Sequence, residues 1–150
     1  SELEERMIIC HTGEAHFGST IQDQNMKRDP ENNENIEFID KLKSITVKMR
    51  SNLLRGRLED FGKLLHETWQ LKKQHNNLTT TDTLDKLYEN VLEAGSDGGR
   101  LIGTGGGGYF VFIVKPFKKH NVFKAIENMG LTAESVNLSH TGLQSWTSRI

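Results

Sequence analysis

The chain has 150 residues, with 19 basic against 20 acidic side chains for a net charge of -1, and is 35% hydrophobic and 26% charged. That length suits one domain able to bury a core without staples, and the composition is that of a globular protein. The near-neutral balance gives no field to draw the chain to nucleic acid or to an acidic membrane.

The single cysteine, Cys10, excludes an internal disulfide and fits a reducing, cytoplasmic setting. It reads as a small buried hydrophobe in a strand. The start, Ser1-Glu2-Leu3-Glu4-Glu5-Arg6, is acidic and runs straight into an apolar stretch, unlike a signal peptide. No apolar run approaches the roughly 20 residues that span a bilayer. The missing initiator methionine fits a chain cut from something longer, and processing at the start of the chain gives the same result.

Residues 6–11 (Arg-Met-Ile-Ile-Cys-His) read as a strand ending at the Thr12-Gly13 turn. Residues 13–34 are polar and Asn-rich and read as a loop holding at most one helical turn. Phe38, Leu42, Ile45, Met49 and Leu53 recur at steps of three and four, which predicts an amphipathic helix ending near Gly56. Leu58, Phe61, Leu65 and Trp69 predict a second. Residues 76–82 supply a turn and a hydroxyl or carboxylate N-cap. A third helix carries Leu84, Leu87, Tyr88, Val91 and Leu92 inward, with Gly95 as its C-cap.

Residues 98–102 then read as a short strand, residues 103–108 as a loop, and residues 109–114 (Tyr-Phe-Val-Phe-Ile-Val) as a central buried strand. Pro116 is placed at the first position of a helix running through Val122, Phe123, Ile126 and Met129 to Gly130. Val136, Leu138 and His140 alternate with polar residues as in a half-buried strand, and residues 143–147 are a candidate for a last one. Helices that bunch rather than alternate with strands predict an α+β fold, an antiparallel sheet of about four strands against a helical layer.

Gly103-Thr104-Gly105-Gly106-Gly107-Gly108 satisfies a G-x-G-x-x-G spacing. A dinucleotide fingerprint would need a helix next, and a strand follows instead. A Walker loop would need Gly-Lys-Ser/Thr, and Tyr109 follows Gly108. Four consecutive glycines still cost backbone entropy, about 0.5–1 kcal/mol each relative to alanine. They are justified where the backbone takes positive φ or lets an anion approach bare N–H groups lining an open cleft. A two-residue turn would serve a plain hairpin. Phosphate contact and a simple turn both stay open on these grounds.

The stretch Asp60-Phe61-Gly62-Lys63-Leu64-Leu65-His66-Glu67-Thr68-Trp69-Gln70-Leu71-Lys72-Lys73 resembles a helix of GHMP sugar kinases. In that family a Ser/Thr turn, a Leu-Asp-x-Leu helix and a Gly-Ala-x-Gly-Gly-Lys-Leu-x-Gly-Ala-Gly-Gly-Gly-Gly segment follow. Here Thr80-Thr81, Leu84-Asp85-Lys86-Leu87 and residues 95–108 stand in that order, with Thr12-Gly13 before them and His140-Thr141-Gly142 after them. The resemblance covers nearly the whole chain and is stronger to the heptose 7-phosphate kinase and fucokinase branch than to mevalonate or galactose kinases. Ser96 and Thr104 stand where alanine is usual, and Arg100 where lysine is usual.

The resemblance implies a C-terminal domain of an ATP-dependent sugar or sugar-phosphate kinase. Gly103, Thr104, Gly105, Gly106, Gly107 and Gly108 would lie near the ATP phosphates, and His66, Trp69 and Lys73 would border the sugar pocket. The family's principal phosphate loop, Pro-x-x-x-Gly-Leu-Gly-Ser-Ser, its catalytic acid and its lysine are not in this sequence. A separate N-terminal kinase domain is therefore the expected partner, and this chain alone is expected to be inactive, with no catalytic residue of its own. Its exposed face is expected to drive self-association into a homo-oligomer.

Taken by itself Trp69 reads first as core, and Lys72-Lys73 as a solvated face. Trp146 reads as core at the sheet edge or as a contact to the other domain. The histidines show no metal-ligand spacing, so magnesium would come with ATP and be held mostly by phosphates and the N-terminal domain. The rival expectation is a non-catalytic regulatory or dimerisation module on the same scaffold, since fold does not fix function.

Overall fold

The structure is a computed structural model that describes residues 1–13, 32–103 and 105–147. The loop expected over residues 13–34 falls almost wholly outside these, as does Thr104.

The chain opens with a short helix, α1 (Glu2–Arg6), that sequence reasoning missed. Ser1 caps it: its hydroxyl accepts from the Glu4 N–H while the Glu4 carboxylate reaches back to the N-terminus. Strand β1 (Met7–His11) follows. Helix α2 (Asn33–Leu54) starts five residues before the first member of its apolar stripe, because the Asn32 side chain caps it at the Glu34 N–H. Of that stripe Ile45 is buried and Phe38, Leu42 and Met49 are half-buried. The helix packs chiefly on α3 (Leu58–His75). Gly56, at φ 68, turns the chain between the two.

A 3-10 turn (Asn77–Thr79) leads into α4 (Asp82–Ala94), whose Thr81 cap accepts from the Leu84 N–H and whose end is Gly95 at φ 124. Strands β2 (Ser96–Leu101) and β3 (Tyr109–Val114) form a hairpin around the glycine loop. Helix α5 (Lys119–Glu127) and strand β4 (Thr132–Ser135) complete the regular structure.

The four strands pair antiparallel in the order β2-β3-β1-β4, so the expected α+β architecture holds. Strand alternation sends Ile8, Cys10, Phe110, Phe112 and Val114 into a core shared with Trp69, Leu84, Leu87, Tyr88, Val91, Val122 and Ile126. Burial drives the Cys10 thiol up to about 11, in keeping with its structural reading. Helix α3 packs closely on edge strand β2 because glycines meet there. A Cβ on Gly62 would come 2.7 Å from the Asp97 Cβ, and one on Gly98 would strike the Gly62 carbonyl. The Arg6–Asp97 pair, 2.6 Å apart and buried, ties the end of α1 to β2, and Arg6 also donates to the Val114 carbonyl.

Two expectations at the C-terminal end are corrected. Pro116 lies outside α5, which begins three residues later, because a turn intervenes in which Phe117 takes φ 63. The last strand is Thr132–Ser135, not residues 136–140, and residues 136–147 form no helix or strand. The pairing of β1 with β4 runs from Ile8↔Ser135 to His11↔Thr132, and β1 begins at Met7, which leaves room for at most one further pair. Trp146 is 86% exposed, so it is not core. No helix among the described residues is long and apolar enough to cross a membrane.

Candidate functional site

The glycine loop closes the β2–β3 hairpin. Gly103, Gly105, Gly106, Gly107 and Gly108 all take positive φ, from 76° to 145°. L-residues are strained in that region, so glycine is required by conformation. The loop is pinned from both sides. The Gly106 N–H donates to the Thr79 carbonyl at 2.9 Å. The Gly108 N–H donates to Thr12 Oγ1 at 3.0 Å, and the Thr12 N–H returns a bond to the Gly108 carbonyl. Thr12 and the 3-10 turn thus serve as the two anchors.

This arrangement divides the N–H groups by role. Two of them, on Gly106 and Gly108, are consumed inside the protein, which corrects the expectation that the whole run would face a cleft. Among the described residues nothing accepts the Gly105 or Gly107 N–H. Thr79 Oγ1, buried beneath Gly105, also lacks a partner there. Buried donors are rarely left unmet, so an acceptor from outside suits this loop. Gly107 and Gly108 also border a groove of 560 Å³ on the open sheet face, lined by Ile9, Ile102, Tyr109, Glu134 and Ser135.

The residues proposed for the sugar side stand differently. Trp69 is 0% exposed and packs edge-on against Phe110, with ring centroids 5.2 Å apart. With no face exposed, it has none to offer a sugar in this conformation. His66 Nδ1 lies 2.9 Å from the Tyr88 hydroxyl, and burial followed by the Lys73 charge holds its pKa below the ordinary value. Lys73 is half-buried and bonds Asp85 at 2.9 Å.

The expectation of a solvated Lys72-Lys73 face is also overturned. Lys72 donates to the Gly103 carbonyl at 2.6 Å. Burial, with the Arg100 charge added, pulls its ammonium down to about 8. Arg100 is itself half-buried on β2, and burial lowers its pKa. Periodicity gives no sign of this pair. The signal available in sequence was the arginine standing where the family resemblance expects a lysine.

A match to the C-terminal domain of GHMP kinases covers residues 49–132, and takes in α3, α4 and the whole glycine hairpin. The chain belongs to that family. It is 26% identical over 146 residues to a D-glycero-alpha-D-manno-heptose 7-phosphate kinase of Campylobacter jejuni, covering 97% of this chain and 43% of that protein. It is 27% identical over 120 residues to a bifunctional fucokinase/GDP-fucose pyrophosphorylase of Arabidopsis thaliana, covering 79% of this chain and 11% of that one. A crystal structure of L. major mevalonate kinase in complex with R-mevalonate superposes with a TM-score of 0.72 at 19% identity, over 81% of this chain and 37% of that one, a likeness of fold. The GHMP domain described here therefore spans less than half the length of these relatives.

Proposed function

We propose that this GHMP domain is the C-terminal part of an ATP-dependent kinase acting on a sugar or a sugar phosphate. The observation that carries the reading is the divided loop. Gly106 and Gly108 hold the backbone in place, which leaves the Gly105 and Gly107 N–H groups for phosphate oxygens. The names of the heptose phosphate kinase and fucokinase relatives support the sugar as acceptor.

Bound ATP would supply the phosphoryl group, and the loop would stabilise negative charge on it with donors already in position. Among the described residues no group of three or more His, Cys, Asp or Glu side chains could hold a metal ion. On this reading magnesium, the catalytic acid and the main phosphate loop would belong to an N-terminal domain, as the family resemblance implies, and the enzyme would be cytoplasmic.

Two measurements test this. The purified 150-residue chain should transfer no phosphate from ATP to any sugar in a panel, while a longer polypeptide carrying an N-terminal kinase domain should. In that longer polypeptide Gly106→Val should lower kcat/KM for ATP by about a hundredfold or more. A β-branched residue at φ 76 would loosen the Gly106–Thr79 anchor and misplace the neighbouring Gly105 and Gly107 donors, and one lost charge-stabilising donor costs about that much. Normal ATP efficiency in a folded variant would reduce the loop to a turn.

A further inference from the structure

Three cationic side chains, Lys72 and Lys73 on α3 and Arg100 on β2, come from the elements beside the glycine loop, and they differ in whether they are compensated. Lys73 has an acidic partner in Asp85, which also accepts from the Thr80 hydroxyl. Its neighbour Lys72 has only a backbone carbonyl, that of Gly103. The Arg100 guanidinium has no hydrogen-bond or ion-pair partner among the described residues. The two charges are close enough for Arg100 to depress Lys72, and no carboxylate contributes to either shift.

Burying an unpaired cation is costly, and cations half-withdrawn from water are normally paired. A second unpaired cation, on the strand that leads into the loop, raises the cost further. The place where this cost is carried is the Gly103 end of a loop whose Gly105 and Gly107 N–H groups lack acceptors among the described residues. A divalent oxyanion would answer every part of it: two cations, two N–H groups and room left by the missing side chains.

We propose that Lys72 and Arg100 form, with the Gly105 and Gly107 N–H groups, a subsite for a phosphate monoester. The inference rests on the kinase reading only for the source of that group, which is either the terminal phosphate of ATP or a phosphate already carried by the sugar acceptor. In either case the guanidinium grips two oxygens and the ammonium adds a point charge.

A structural rival exists, because long basic side chains also cover apolar surface with their stems. The substitutions Arg100→Met and Lys72→Met keep the stem and remove the charge. Inorganic phosphate and sulfate are titrated into the chain while its backbone amides and the Arg100 Nε–H are followed by NMR. Both anions should shift the Gly105, Gly107 and Arg100 signals, and each Met variant should weaken binding about tenfold, with Arg100→Lys recovering part of the loss. Unchanged anion affinity in the Met variants overturns the subsite. Should those variants fail to fold, anion-induced shifts in the unaltered chain that miss both the loop and Arg100 overturn it equally.

Steady-state kinetics of the longer polypeptide then separate the sources. A raised KM for ATP alone assigns the pair to the nucleotide, and a raised KM for a sugar phosphate, against an unchanged one for its unphosphorylated sugar, assigns it to the acceptor. Anion binding through the pair in a polypeptide without kinase activity would support the subsite while removing the kinase reading.

Discussion

Gly62 and Gly98 sit where α3 meets β2, Gly99 sits where β2 meets β3, and Gly103 and Gly108 sit in the loop a few residues on. The first group is required by contact. A Cβ on any of them would run into Asp97, the Gly62 carbonyl, or Phe112 and the Val111 carbonyl. Gly103 and Gly108 would meet nothing within 4 Å, and are required by their φ of 87° and 102°. One set of glycines lets protein approach protein. The other leaves space open beside the backbone, which is useful only if something else enters it.

The largest expected effect falls on the packed set. Gly98→Ala should destabilise the fold by about 3 kcal/mol or more, since the clash is with backbone and with the His66 Cβ in a region with no slack. Gly62→Ala is the sharper variant. Alanine gains up to about 1 kcal/mol of helix propensity over glycine, yet it must displace Asp97 from its buried pair with Arg6. Steric cost should win, and chemical denaturation should show net loss. Equal or greater stability in Gly62→Ala would mean that α3 can lift from β2, and the distinction between the two groups would dissolve.

Gly108→Ala should behave in the opposite way. Its stability cost is only the conformational strain, about 1–2 kcal/mol, because the side chain has room. Its effect on phosphate binding should exceed that cost, because strain would shift a loop held at Gly108 by Thr12. Comparing melting temperature with anion affinity for Gly98→Ala and Gly108→Ala tests whether stability and binding separate along the loop.

Much of the fold was legible because its signals are local. The stripes of α2, α3 and α4, the Thr81 cap and the run in β3 follow from period and capping alone. The glycine loop was legible as a feature, and its positive φ follows from the cost of four glycines. What the sequence could not show is set by contacts distant along the chain. Gly106 uses its N–H on Thr79, and Gly108 on Thr12, 96 residues away. The division of donors depends on both. Trp69 read both as core and as a platform for a ligand, and the core reading holds because Tyr88 and Phe110, from two other elements, enclose it. Residues 136–140 alternate as a strand should, yet the neighbour available to this end of the chain, β1, starts at Met7 and is already paired by β4 from Ile8 to His11.

The smallest effect concerns pH, and it reports on the packed side alone. The Tyr88 hydroxyl donates to the Gly99 carbonyl and accepts the Gly99 N–H, at 3.1 and 3.2 Å. Its one proton is thereby used, so His66 Nδ1 must be the donor in the 2.9 Å contact, and neutral His66 carries its proton there. Acidification would add the second proton at Nε2, against burial and the Lys73 charge, which hold the folded pKa below 6.5. The unfolded chain then binds more protons than the folded one below that value, so stability should decline as pH falls from 6.5 through the folded pKa and be fully present above 6.5. Buried Asp97, whose pKa burial raises, pulls the other way, since the folded state takes its proton more readily. The difference between the native chain and His66→Asn isolates the histidine: asparagine can keep a donor toward Tyr88 and cannot titrate. Denaturation midpoints of the native chain should drop further than those of the variant between pH 6.5 and 5, while phosphate-induced shifts at Gly105 and Gly107 keep the same ratio between the two proteins. Parallel midpoints in both would show that His66 is not the titrating group, and a changed ratio at the loop would show that the packed and open glycines are coupled.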